Sequence, residues 1–142
     1  MTALIRLQLA ILVLVQVMVG FWNQVFPESF YRNFPTVDLT PGFSEHYARD
    51  FGGATLGIAL VLAIALVSPR AVFVIPATLA YSLYSIPHFL FHVQHLESAS
   101  SVEAVALTTA NALVALMGLA IIALTVGRDR RDDAQDASVA AT

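Results

Sequence analysis

Four long apolar runs constrain this chain more than any other feature. They cover Leu7–Phe21, Phe51–Val67, Ala71–Phe91 and Val102–Val126. A helix crossing bilayer hydrocarbon needs about 20 residues at 1.5 Å each. The first run is broken only by Gln8 and Gln16 and is extended by Trp22. The second becomes long enough when it begins near His46. The chain is 58% hydrophobic and 12% charged, whereas soluble domains are about 25% charged. So little charge cannot cover a soluble surface. The expected fold is therefore all-α: an antiparallel, integral membrane four-helix bundle. Its helices cover about residues 3–22, 45–67, 71–93 and 102–126, in a membrane domain of residues 1–127. Residues 128–142 are mixed-charge, then rich in alanine and small polar groups, and predict a disordered cytoplasmic tail.

Arginine placement orients the bundle. With both termini cytoplasmic, Arg6, Arg70, Arg128, Arg130 and Arg131 lie inside and Arg32 and Arg49 outside, in line with the positive-inside bias. This predicts a multi-pass protein of the inner (plasma) membrane. The first run is expected to stay as a span and not be cleaved as a signal peptide. Its core is long, and bulky Phe21-Trp22 follows Gly20 where a small-residue cleavage site belongs. The outer loop between the first two spans holds Trp22, Phe26, Phe30, Tyr31, Phe34 and Phe43. Pro27, Pro35 and Pro41 break any long helix there. Aromatic rings favour the membrane interface, so the loop is expected to cap the outer end, either as an interfacial anchor or as a lid.

Several chemistries are excluded or unsupported. There is no cysteine, hence no thiol nucleophile, thiolate ligand or disulfide. All seven basic residues are arginine, which removes a lysine Schiff base. The net charge of -3 gives no sign of nucleic-acid binding. No GxSxG, P-loop, GxGxxG or HExxH motif is present.

The four histidines are the candidate chemistry. On a helical third span, Tyr81, Ser85, His88, His92 and His95 fall within an arc of about 80°. Such a stripe should face the bundle interior, because lipid cannot satisfy it. On the second span, His46, Asp50, Gly53 and Gly57 lie within roughly 60° of one another. Glycines at 53 and 57 would permit close helix approach and bring Asp50 towards His88 or His92. Arg49 flanks that stripe, with Glu45, Asp50, Glu97 or a lipid phosphate as partner. Gln16, Thr108 and Asn111 would either extend the polar network or serve as interhelical hydrogen-bond glue.

Three functional readings follow. In the first, His46, Asp50, His88 and His92 carry acid–base chemistry or bind a small lipophilic ligand, helped by Arg49, Tyr81, Ser85, Gln16 and Asn111. In the second, His88 and His92, at i and i+4, hold a transition metal with His46 or Asp50; haem would need His46 opposed to His88 or His92. In the third, the polar groups are structural, and the protein is an accessory or scaffold subunit. The expected partners are the lipid bilayer, a lipophilic small molecule, and a second copy or another membrane-complex subunit.

Motif order adds a resemblance. Phe30-Tyr31-Arg32-Asn33-Phe34-Pro35 is followed by Glu45-His46, Arg49-Asp50-Phe51-Gly52, Pro87-His88, Phe91-His92 and His95-Leu96. This pattern, over about residues 21–97, resembles small four-helix membrane proteins of high-GC actinobacteria. The helix count and hairpin layout also resemble DoxX-like proteins. The resemblance implies a four-helix membrane fold, with His46, Arg49, Asp50, His88 and His92 in one constellation, and carries no activity or cofactor.

Overall fold

The computed structural model describes residues 1–39 and 42–140. In chain order the elements are α1 (Thr2–Val25), α2 (Pro27–Asn33), a 3-10 turn (Val37–Leu39), α3 (Glu45–Val67), α4 (Ala71–Gln94) and α5 (Ser101–Ala140). The chain is all-helical, and α1, α3, α4 and α5 are each long and apolar enough to cross a membrane. Their outward faces carry large apolar side chains such as Leu14, Leu60, Leu83 and Leu113. Water would penalise so much exposed hydrocarbon, whereas lipid does not. The molecule is a membrane protein.

Each long helix packs on two of the other long helices. α1 packs on α3 and α5, and α4 packs on α3 and α5. Among the described residues the diagonal pairs α1/α4 and α3/α5 do not meet. Going round the bundle the order is α1, α3, α4, α5, and every neighbouring pair is antiparallel. One end carries α2 and is called the cap end. The other carries the Ser68-Pro69-Arg70 turn between α3 and α4 and is called the turn end.

Towards the turn end the interior is mainly apolar, with Thr78 and Thr125 bonded to carbonyls of their own helices. Ile5, Leu9, Leu12, Leu62, Ala65, Val74, Ala77 and Ile121 form the apolar core, and Tyr81 closes its upper edge. Arg128 of α5 clamps the turn: its guanidinium donates to the Pro69 carbonyl at 2.8 Å and to Asp129 at 2.7 Å.

Local signals set most element boundaries. Pro27 starts α2, where its missing N–H would have been unpaired anyway. Pro27 is thus a helix starter as well as a break after α1. Ser44 is the N-cap residue of α3 by position, although its hydroxyl makes no cap hydrogen bond. α5 begins with a capping box. The Ser100 amide donates to Glu103 at 2.9 Å and the Glu103 amide donates to the Ser100 hydroxyl at 3.4 Å. α4 stays helical through Pro76 and Pro87. Pro41 lies outside the described residues.

The tail differs from expectation. In place of a disordered segment from residue 128, α5 continues to Ala140. Low hydropathy reports that residues 130–140 are exposed; it does not forbid helix. Alanine, arginine and glutamine are good helix formers, and no proline interrupts the stretch.

The close helix contact also differs. α1 and α3 meet at Gly20 and Gly52. A Cβ on Gly52 would lie 2.6 Å from the Gln24 amide nitrogen and 2.8 Å from the Gly20 carbonyl oxygen. Gly57, expected at a helix contact, has nothing within 4 Å of a Cβ, and Gly53 approaches only the Gln24 side chain at 3.3 Å.

Candidate functional site

The α4 stripe faces inward as its spacing predicts. Tyr81 is 1% exposed and Ser85 3%. His88 and His92 continue the same face and are half-buried. Their rings form a ladder with their neighbours. Tyr84 stacks on His88 at 5.2 Å, His88 meets His92 edge-on at 4.5 Å, and Phe91 stacks on His95 at 4.0 Å. Phe51 of α3 joins through Tyr84 at 5.7 Å. Tyr84 is absent from the sequence reading, although its i, i+4 relation to His88 marks it. His95 is exposed, with its ring nitrogen 2.7 Å from the Phe91 carbonyl.

The α3 stripe faces the other way. The buried side of α3 is Gly52, Thr55, Ala59, Leu62 and Ala65, whereas His46, Asp50, Gly53 and Gly57 are all exposed. The His46 imidazole lies 3.3 Å from the Asp50 carboxylate, and their side chains are 79% and 64% exposed. Among the described residues, no hydrogen bond, ion pair or ring contact joins His46 or Asp50 to His88 or His92. The shared His46/Asp50/His88/His92 constellation is therefore split. The physical reason is position. His46 and Asp50 sit in the first turns of α3, where water reaches the helix and imposes no inward facing.

The split bears on metal and haem ligation. Among the described residues, no group of three or more histidine or acidic side chains is placed to hold a metal ion. His46 lies on the outer face of α3 and does not oppose His88 or His92 across the bundle, as bis-histidine haem would require.

Arg49 has a structural duty. Its guanidinium pairs with Glu45 at 2.8 Å and donates to the Gln24 carbonyl in the last turn of α1. A cation at a helix C-terminus satisfies an otherwise free carbonyl and the negative dipole end. Arg49→Ala is expected to lower stability by about 2 kcal/mol, read as a drop in the thermal unfolding midpoint in detergent. An unchanged midpoint would remove this role.

The aromatic segment forms its own small cluster. Trp22 meets Phe30 edge-on at 5.5 Å, and Phe30 stacks on Phe34 at 4.6 Å. α2 contacts α1 and α3 but neither α4 nor α5 among the described residues. The cap thus anchors the α1–α3 side and does not roof His88 and His92. A cleft of about 340 Å³ under it is lined by Phe26, Pro27, Ser29, Phe43, Glu45 and Arg49, among others.

Towards the cap end the interior becomes polar. Gln16, Asn23, Thr55, Ser82 and Ser85 are all at most 5% exposed. Asn23 donates to the Val19 carbonyl at 3.0 Å and Asn111 to the Leu107 carbonyl at 2.9 Å, each within its own helix. Asn111 is thus a helix-backed group and not an interhelical bridge. By contrast, the side-chain carbonyl oxygens of Gln8, Gln16 and Gln24, the Ser82 hydroxyl and His92 Nδ1 have no hydrogen-bonding partner among the described residues, while the Ser85 hydroxyl interacts with the Tyr81 hydroxyl one turn below. Ser82 and Asn23 were not singled out by the sequence reading; helical phase alone separates Ser82 from Tyr81 by about 100°.

Comparison with known proteins adds no assignment: no family model, no curated protein and no solved structure matches this chain.

Proposed function

We propose that this is a membrane protein that binds a small lipophilic molecule bearing hydroxyl groups in the cap-end half of the bundle. The supporting observation is the buried, unpartnered polar atoms of the cap-end half, among them Gln16 Oε1, Ser82 Oγ and His92 Nδ1. An unsatisfied buried polar group costs about 1–3 kcal/mol, so several of them in one half of the bundle favour a ligand there. Two of the three atoms, Gln16 Oε1 and His92 Nδ1 in its acceptor form, accept hydrogen bonds, and a hydroxyl supplies the donor. The Tyr84–His88–His92 ring ladder offers flat faces for the apolar part. The apolar core below, from Leu12 and Leu62 to Ile121, supports a dead-ended site and not a conducting path. Arginine placement supports an inner-membrane location with the turn end cytoplasmic.

The test is mass spectrometry of small molecules extracted from protein purified in mild detergent. Wild type is expected to carry one lipophilic species at near-stoichiometric level. A His88→Ala, His92→Ala variant is expected to lose at least about nine-tenths of it while keeping its helical circular dichroism. That corresponds to roughly 1.4 kcal/mol or more of binding energy. Equal loading of the two proteins would refute the proposal.

A second reading has its own observation. The exposed α3 face carrying His46, Asp50, Gly53 and Gly57 suits packing against a further membrane helix, as an accessory subunit or a self-associating copy would use. Cross-linking through a cysteine placed at Gly57 distinguishes it, since a monomeric binder gives no specific adduct.

A further inference from the structure

A groove lies on the opposite half of the molecule from the proposed ligand. It runs along the α3–α4 seam from the turn end and has a volume of about 270 Å³. Val61 and Ile64 form one wall and Val72, Phe73, Pro76 and Ala80 the other. Its floor is shallow in side chain because buried Ala77 carries only a methyl group. Over the eight helical steps from Val72 to Ala80 the α4 wall rises about 12 Å at 1.5 Å per residue. Pro76 also lacks the N–H that would have reached the Val72 carbonyl.

The groove ends at a cation. The Arg70 guanidinium lies over the Phe73 ring, 5.7 Å from its centroid. Arg70 is exposed and makes no ion pair among the described residues. The other arginine at this turn differs. Arg128 is spent on Asp129 and the Pro69 carbonyl. One free guanidinium therefore stands at the mouth of an apolar channel, at the depth where a helix emerges from hydrocarbon. Guanidinium matches phosphate oxygens in a fork of two hydrogen bonds.

We propose that this seam is a specific site for an anionic glycerophospholipid, its phosphate on Arg70 and one acyl chain in the groove between α3 and α4. The zwitterionic lipid offers the same chains and phosphate but adds a cationic headgroup group that Arg70 repels. Charge complementarity thus selects the anionic class.

The experiment is native mass spectrometry of the detergent-solubilised full chain titrated with dioleoyl phosphatidylglycerol or dioleoyl phosphatidylcholine. The wild type is expected to retain the first lipid about fivefold more than the second. Arg70→Gln should bring that ratio to about one, whereas Arg130→Gln on the exposed tail should leave it unchanged. Ala80→Phe, which fills the groove, should lower retention of phosphatidylglycerol. Equal binding of the two lipids to the wild type, or a preference that survives Arg70→Gln, would overturn the site. Competition of phosphatidylglycerol by inorganic phosphate alone would also overturn it, by assigning the guanidinium to a free anion.

Discussion

Replacing Gly52 with valine is expected to destabilise the bundle by about 3 kcal/mol or more. The reason is what a side chain there would strike. The nearest atoms to a Cβ at this position are backbone atoms of α1, the Gln24 nitrogen at 2.6 Å and the Gly20 carbonyl oxygen at 2.8 Å. Backbone cannot rotate away as a flexible side chain can, so α1 and α3 must separate along their closest contact. Separation would also pull Gln24 away from Arg49, which bonds its carbonyl. In lipid the loss is sharper than in water, because tight packing and not hydrocarbon transfer holds membrane helices together. Gly57→Ala is the matched control. Nothing lies within 4 Å of its new methyl, and alanine favours helix over glycine by about 0.5–1 kcal/mol. Thermal unfolding in detergent should therefore show a large fall at position 52 and no fall at position 57. A Gly52→Val protein as stable as wild type would mean that α1 and α3 do not cross here.

The second large effect separates binding from architecture. A Gln16→Leu, Ser82→Ala variant is expected to gain about 2 kcal/mol of stability when free of ligand. Both side chains are buried, and Gln16 Oε1 and Ser82 Oγ have no partner. Removing them relieves desolvation without breaking a bond. The same variant should lose the lipophilic molecule that wild type retains. A structural role predicts the reverse, since groups that glue helices lower stability when removed. The two measurements, unfolding midpoint and extracted ligand, are read on one preparation. A variant that is both less stable and fully loaded would remove the binding reading.

The spans and the α4 stripe were legible in the sequence for one reason. Hydrocarbon is an unforgiving solvent, so long apolar runs must be helices and a polar stripe deep in one must turn inward. Tyr81 and Ser85 obey this. The α3 stripe was misdirected because the same periodicity gives a face but not its heading. His46 and Asp50 lie where water satisfies them, and Gly52 and Gly53 are adjacent, about 100° apart on the helix. Only packing reveals that Gly52 meets α1 while Gly53 looks outward. The length of α5 was hidden for a related reason. Charged composition reports solvation, and a solvated helix has the same residues as a solvated coil.

The pairing of helices has one more consequence. α1 holds α3 tightly across two glycines, and α4 holds α5 through the Tyr81 hydroxyl, which donates to the Val114 carbonyl, and through Ser82 set against Gly118. The two pairs share one short covalent hinge, the Ser68-Pro69-Arg70 turn, which Arg128 pins. Separation of the two pairs would therefore open the far end, with His88 and His92, before the pinned end. A guest of the proposed kind would then enter laterally from the bilayer along a seam, without crossing water.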